Sequence, residues 1–232
     1  MFVYEGKMQL RPEGMSTGDL FRLFQEAAGA QSQLLGCGED DMTEKGVMWV
    51  VIRYYVKVRR WPQGGDRMWL QTWPGQSRHG MCPRFYKIRD ENGQEMISAS
   101  ALWAVVDRES RKMVLPAERG VYMEPIVTGE EERLPPAPKK HAAEHSRTFT
   151  VPAVFLDVNG HMNNTRYYDL VEHLLGAEIA GKELREVVTE FVSEAREGDR
   201  MQISWASEGD TWYVEGASET TNYFRMNLNY AE

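Results

Sequence analysis

The chain has 232 residues, 42% of them hydrophobic and 27% charged, with a net charge of −8 at pH 7 and a pI near 5.3. That is enough apolar sequence for one large core or two small ones, and the acidic balance argues against a nucleic acid bound through its phosphates, because counterion release needs a basic surface. Two cysteines, Cys37 and Cys82, with no C-x-x-C pair and no His/Cys spacing suited to zinc, argue against a disulfide scaffold or a structural metal and fit a reducing compartment.

The start of the chain, MFVYEGKMQL, has no charged region followed by an apolar one, and the longest apolar runs, such as VMWVVI, are too short to span a bilayer. The expectation is a cytoplasmic protein without membrane insertion. After a short first strand, MSTGDLFRLFQEAAGAQSQLLG sets Leu20, Leu23, Phe24, Ala27, Ala28, Gln31, Leu34 and Leu35 on one face at helical period, with Ser16 and Asp19 as a capping pair and Gly36 as a stop. Strand-like segments follow: MWVVIRYYVKVRR, DRMWLQTWPG, CPRFYKIRD and, after a DENG turn, QEMISASALWAVVD. One long helix followed by long antiparallel strands predicts an α+β layer in which the sheet wraps the helix, the shape called a hotdog.

Residues 116–146 carry five prolines among charges and little apolar periodicity, which reads as a surface linker. Beyond it the pattern restarts: strand RTFTVPAVF, the stretch DVNGHMNN, helix NNTRYYDLVEHLLGAEI, then strands REVVTEFVSEA, DRMQISWASEG, TWYVEGASE and YFRMNLNY. GDRMWLQTW begins at Gly65 and GDRMQISWA at Gly198, each after a long strand and opening the next one. The shared residues and the repeated element order point to an internal duplication. The predicted architecture is two fused hotdogs, an N-terminal one over 1–120, a linker over 121–146 and a C-terminal one over 147–232.

In DVNGHMNN, Asp157, Asn159 and His161 alternate before Asn163 and Asn164, either of which can cap the following helix. A helix start offers unpaired N–H groups and a positive dipole end, so a carbonyl oxygen gaining charge would be stabilised there. Thioester hydrolysis needs donors for the oxyanion, a carboxylate or imidazole to activate water, and a group to hold that base. Asp157, Asn159 and His161 supply those types, although Asp and Asn are equally common as plain turn and cap residues.

The sequence LDVNGHMNNTRYYD resembles the signature D-x-N-x-H-x-N-N-x-x-Y of hotdog thioesterases, and specifically of acyl-acyl-carrier-protein thioesterases, the enzymes that end fatty-acid synthesis by releasing the free acid. The similarity extends to WVVIRYYVKVRRWPQGGDRMWLQTWPG and RFYKIRDENGQEMISASALWAVVDRESRKMV in the first half and VTEFVSEAREGD in the second. It implies an acyl-binding N-terminal half and a catalytic C-terminal half. Carried over by motif, Asp157, Asn159 and His161 match active-site positions, and Glu194 matches a glutamate proposed to activate water. Plant members often have a cysteine directly after that glutamate; here the position is Ala195, which leaves water activation as the mechanism. Strand alternation would put Val188, Glu190, Val192 and Glu194 on one face, with the last carboxylate beside apolar neighbours, as a general base working near neutral pH requires.

The first half has no matching set where its helix begins, in LRPEGMSTGD. Its Trp49, Trp69, Trp73 and Trp103 are candidates to line an acyl pocket, and equally candidates for plain core. The implied partner is an acyl carrier protein bearing a phosphopantetheine-linked chain. Because such carriers are acidic, a local positive surface is needed, and alternation in VIRYYVKVRR sets Arg53, Tyr55, Lys57 and Arg59 on one face with Arg60 following. Exposed cations of this kind are more often merely solubilising. No phosphate loop, dinucleotide fingerprint or metal cluster implies a cofactor, and His79, His141, His145 and His173 read as surface or structural. An acyl-CoA thioesterase and a non-catalytic acyl-thioester binding module are the competing readings. A monomer and an edge-to-edge homodimer both stay open.

Overall fold

The computed structural model describes residues 3–10 and 14–231; positions 11–13 of the LRPEGMSTGD segment lie outside the described residues. The chain divides into two compact units, one of Met1–Met15 and Arg22–Pro135 and one of Ser16–Phe21 and Pro136–Glu232. Among the described residues no helix is long and apolar enough to cross a membrane.

The first unit contains β1 (Tyr4–Gln9), most of α1 (Thr17–Leu34), α2 (Glu39–Glu44), β2 (Val47–Val58), β3 (Arg67–Pro74), β4 (Met81–Asp90), β5 (Glu95–Asp107) and β6 (Met113–Val114). Its strands lie in the order β1-β3-β4-β5-β2, all antiparallel, with β6 on β5. The expected cap of α1 is present and reciprocal: Ser16 N–H donates to Asp19 Oδ2 (3.1 Å) and Asp19 N–H to Ser16 Oγ (3.1 Å). The helix stops at Gly36, whose φ of +69° favours glycine. Leu20, Phe24, Ala27, Ala28 and Gln31 are buried as their spacing predicts, whereas Leu34, expected on the same face, is 62% exposed in the last turn.

Strand β2 departs from simple alternation. A bulge between Val51 and Arg53 inserts Ile52 and flips the parity, so that Val47 and Val51 before it and Tyr54, Val56 and Val58 after it are buried. Register then sorts the sheet into two faces. Tyr54, Ala101 and Arg84 are cross-strand neighbours, as are Val56, Ala99, Tyr86 and Thr72. These face α1: Phe24 lies 4.6 Å from the Tyr86 ring and 6.4 Å from Tyr54, and Arg84 bonds Gln31 and Ser32. The opposite face carries Trp73, Phe85, Ser100 and Tyr55 in one row and Gln71, Lys87, Ser98 and Lys57 in the next.

That second face is crossed by the segment read as a surface linker. Ile126 N–H bonds the Pro74 carbonyl (2.9 Å), Glu130 pairs with Arg89 (2.6 Å), Glu132 accepts from Ser98 Oγ (2.8 Å), and the Arg133 guanidinium sits 4.0 Å from the Tyr55 ring. Residues 121–144 hold no regular helix or strand, and Ile126, Glu130, Glu132 and Arg133 among them meet that sheet.

The second unit contains β7 (His145–Thr150), α3 (Asn164–Ile179), β8 (Glu183–Phe191), β9 (Arg200–Glu208), β10 (Thr211–Ala217) and β11 (Asn222–Ala231), in the antiparallel order β8-β11-β10-β9-β7. Read from the first strand of each unit, the two sheets have the same strand order, and each places its long helix after the first strand. Gly65 and Gly198, the repeat signal, both have positive φ (+92° and +81°) in the turn that opens β3 and β9. Helix α3 seats Tyr167, Tyr168, Leu170, Val171 and Leu175 against the sheet: Tyr167 meets Phe224 (4.8 Å between rings) and the Tyr168 hydroxyl bonds Thr189 Oγ1 (3.0 Å). Phe21, in the first turn of α1, stacks on Tyr168, and Glu172 of α3 accepts from the Thr17 N–H (3.3 Å) and hydroxyl.

Candidate active site

The DVNGHMNN stretch folds as a tight loop between a short 3-10 turn (Ala153–Phe155) and α3. Leu156 and Met162 form an antiparallel bridge, Asp157 N–H donates to the His161 carbonyl (2.7 Å), and Gly160 supplies the left-handed residue at φ +76°. Asp157 Oδ1 accepts from Asn159 N–H (2.8 Å) and His161 N–H (3.3 Å), an Asx turn that shapes the loop. Of the two candidate caps, Asn163 is the one used: its Oδ1 accepts from the N–H and the hydroxyl of Thr165, both at 2.9 Å. The short polar residues of the motif thus fix the backbone first.

This loop delivers His161 to Glu194. The imidazole Nε2 lies 3.2 Å from Glu194 Oε2, with the histidine side chain 11% exposed and the glutamate 37%. The backbone enforces the meeting, since Met162 N–H donates to the Ala195 carbonyl (2.7 Å), tying the residue after His161 to the residue after Glu194. Within the second unit, His161 and Glu194 are thus paired, and Asp157 and Asn159 lie on the loop that carries His161, with Asn159 exposed and His161 buried.

Two expectations need correction. Strand β8 ends at Phe191, so Glu194 does not continue the alternating face of Val188 and Glu190; it stands on the irregular segment that follows, more than a third exposed. Apolar strand neighbours are replaced there by one imidazole. The backbone N–H groups around His161 are also largely engaged: those of Asn159 and His161 by Asp157 Oδ1, Gly160 by the Asp157 carbonyl, Met162 by Ala195 and Asn163 by Phe155. Among the described residues, the N–H groups of Val158 and Asn164 and the side-chain amides of Asn159, Asn163 and Asn164 have no acceptor at this loop.

In the first unit the tryptophans separate. Trp103 is on the helix side, edge-on to Tyr54 (6.5 Å, 81°). Trp49 is on that side too, but its Nε1 donates to the Cys37 carbonyl (2.9 Å) and it packs on a cluster of Cys37, Met42, Val47, Val105 and Val121, which makes it an anchor for α2. Trp69 and Trp73 lie on the opposite face, Trp69 beneath Lys7 (5.2 Å) and Trp73 fully buried against Phe85. The cationic strip is not free either. Arg59 pairs with Glu95 (2.8 Å), Arg60 with Asp66 (2.7 Å) and Asp90 (3.9 Å), and Tyr55 is buried under Arg133; Lys57, Arg59 and Arg60 are the exposed members.

One residue had no sequence signal. Arg84, in the CPRFYK segment, is 3% exposed, and no carboxylate among the described residues pairs with it. Its guanidinium donates to Gln31 Oε1 (2.6 Å), Ser32 Oγ (3.2 Å) and Thr72 Oγ1 (3.2 Å). Burial pulls its pKa down, with the nearby tyrosine and cysteine groups opposing that fall, and the same burial raises Tyr86 to about 12. A polar knot thus stands in the otherwise apolar space between α1 and its sheet.

Residues 4–118 match the N-terminal domain of acyl-ACP thioesterases and residues 138–229 match the C-terminal domain. A chloroplastic palmitoyl-acyl carrier protein thioesterase of Arabidopsis thaliana is 32% identical over 147 residues, 58% of this chain and 35% of that protein. A chloroplastic acyl-[acyl-carrier-protein] hydrolase of Cuphea viscosissima is 29% identical over 136 residues, 55% of this chain and 33% of that one. The matched stretch thus spans about a third of the length of these curated relatives. Among solved structures, an acyl-ACP thioesterase from Bacteroides thetaiotaomicron has a TM-score of 0.85 at 20% identity, covering 98% of this chain and 97% of that one. The 12:0-ACP thioesterase from Umbellularia californica has a TM-score of 0.83 at 20% identity, covering 98% and 96%. At such identities the likeness is one of fold. Two domain matches in sequence order, together running from residue 4 to residue 229 with one short gap, place the chain in the acyl-ACP thioesterase family.

Proposed function

We propose that this chain hydrolyses a fatty acyl thioester carried on an acyl carrier protein, releasing the free fatty acid and the carrier thiol and so ending fatty-acid synthesis. The observation that carries the reading is the His161–Glu194 pair, 3.2 Å apart, one partner buried and the other open to water, beside the start of a helix. Glu194 takes a proton from a water while His161 orients it, and the resulting hydroxide attacks the thioester carbonyl. The N–H of Asn164 and the Asn159 amide are the donors available to the tetrahedral oxyanion, at the positive end of α3. Collapse breaks the C–S bond, and the thiolate leaves with the proton held by Glu194. Asp157 serves by shaping the loop through its bonds to Asn159 and His161. With Ala195 beside Glu194, no thiol stands there to form an acyl-enzyme.

The acyl chain is assigned to the first unit, on the helix side of its sheet, where Trp103 stands. The carrier, acidic and bearing the chain on phosphopantetheine, is assigned to a surface that includes Lys57, with Arg59 and Arg60, each paired to carboxylates, contributing less than the sequence implied. A cytoplasmic setting is part of the same proposal, the matched plant relatives being chloroplastic. Replacing Glu194 by Gln keeps size and hydrogen bonding but removes the base; kcat is expected to fall by about 100-fold or more with the thermal midpoint unchanged. Turnover near that of the parent protein would refute the assignment.

A further inference from the structure

The layer between α1 and the first sheet mixes small side chains with buried hydrogen-bond donors. Ala27 and Ala28 of α1 are buried there. On the sheet side β5 presents Ala99 between Val56 and Tyr86, and Ala101 between Tyr54 and Arg84, all of them buried. Trp103, two residues further along β5, stands on the same side, and Phe24 of α1 lies 4.6 Å from the Tyr86 ring. The four alanines bring little side-chain volume to the middle of this layer.

The donors do not satisfy one another. The Tyr86 hydroxyl and the Trp103 indole N–H are buried, and among the described residues neither has a hydrogen-bond partner. Both rings neighbour Tyr54, at 6.4 and 6.5 Å, but neither Tyr54 nor Trp103 meets the Tyr86 hydroxyl in hydrogen-bond geometry. Burial raises the Tyr86 phenol to about 12, so it keeps its proton at neutral pH. Arg84, on the same face of β4, bonds neutral atoms: Gln31 Oε1, Ser32 Oγ, Thr72 Oγ1 and the Met123 sulfur (3.6 Å). Buried donors without an acceptor cost stability, and an all-carbon chain supplies none. Water reaching these groups is displaced when such a chain enters, and the donors are then stranded. A chain bearing its own oxygen replaces that water, and a hydroxyl or oxo group enters at far smaller desolvation cost than a carboxylate.

We propose that the first unit takes a fatty acyl chain that carries an oxygen along its length, as a hydroxyl or oxo group, received by the Tyr86 hydroxyl and the Trp103 N–H beside the Arg84 guanidinium. The inference rests on the acyl chain lying on the helix side of this sheet. It makes Tyr86 and Trp103 residues that choose the chain, apart from the hydrolysis at His161 and Glu194.

The test uses the whole protein with carrier-borne acyl chains of matched length, either unsubstituted or with a hydroxyl or oxo group moved stepwise along the chain. For each chain kcat/KM is measured, together with the Kd of an analogue that has an amide in place of the thioester. In the parent protein, one oxygen position is expected to exceed the unsubstituted chain by about 10-fold in both quantities. Tyr86→Phe and Trp103→Phe keep an aromatic ring and remove the donor, and each should cut that ratio about 5-fold. Because the Tyr86 hydroxyl bonds nothing in the protein, Tyr86→Phe should hold or raise the thermal midpoint. Preference for the unsubstituted chain over every oxygen position would overturn the inference, as would an oxygen preference that neither variant reduces. Amide analogues bound with the expected oxygen preference, while no thioester is cleaved, would support the inference and overturn the proposed hydrolysis instead.

Discussion

Helix α3 begins three residues after His161, and one buried hydrogen bond fastens it to strand β8, so removing that bond measures how the site is held. The Tyr168 hydroxyl and Thr189 Oγ1 are 3.0 Å apart, with Tyr168 1% and Thr189 0% exposed. Burial raises the Tyr168 phenol well above its ordinary value, the Thr189 bond opposing the shift. Tyr168→Phe deletes the bond and leaves the Thr189 hydroxyl buried without its partner, which costs about 2 kcal/mol; Thr189→Val does the same to the Tyr168 hydroxyl, at a similar cost. Additive losses would bring the double variant to about 4 kcal/mol, but removing both polar groups leaves none stranded, so the double is expected to lose about 1 kcal/mol. Urea denaturation of the four proteins closes the cycle. Since neither residue touches the His161–Glu194 pair, kcat of the folded variants should match the parent. An additive double variant would refute the claim that these two hydroxyls satisfy each other.

Two further outcomes follow from the geometry. If the acyl chain lies on the helix side of the first sheet, Trp103→Ala lengthens the preferred chain while Trp69→Ala, on the opposite face, leaves the preference unchanged; rate profiles over a saturated series decide, and a shift with Trp69→Ala would place the chain elsewhere. Burial, reinforced by Asp169 and Asp19 and opposed by the Thr17 bonds, holds the Glu172 carboxyl above its ordinary range. The folded state therefore binds that proton more tightly than the unfolded one, and its stabilising contribution is lost as pH rises from the unfolded carboxylate value through the raised folded value. Glu172→Gln should flatten stability against pH across that window; parallel curves for the two proteins would show that Glu172 is not the group responsible.

The two long helices were the most legible part of the chain, whereas the short α2 was not foreseen. Ser16 and Asp19 cap α1 reciprocally and Gly36 ends it, because capping is a local reaction among neighbours in sequence. The duplication was also legible, through Gly65 and Gly198, since both turns need a left-handed residue at the same place. What escaped depends on distant partners. A bulge at Ile52 shifts the buried parity of β2, and nothing within VVIRYY marks which residue is extra. Arg53, Tyr55 and Lys57 do share a face, as alternation predicts, yet the segment 126–134 returns to cover it, and its glutamates meet Arg89 and Ser98. Arg84 carries no signal in CPRFYK because burial of a guanidinium among Gln31, Ser32 and Thr72 is decided by two other elements. At the site the motif residues were identified by type and spacing, but Asp157 and Asn163 hold backbone, and the position of Glu194 beyond β8 follows from the Met162–Ala195 bond.

The most direct test of the account is the initial hydrolysis rate for one series of saturated acyl chains, each presented both on acyl carrier protein and on coenzyme A. The account predicts turnover that favours the carrier protein and peaks at one chain length. Equal or faster release from coenzyme A would contradict the assigned carrier, and binding without release of thiol from either would contradict hydrolysis at His161 and Glu194.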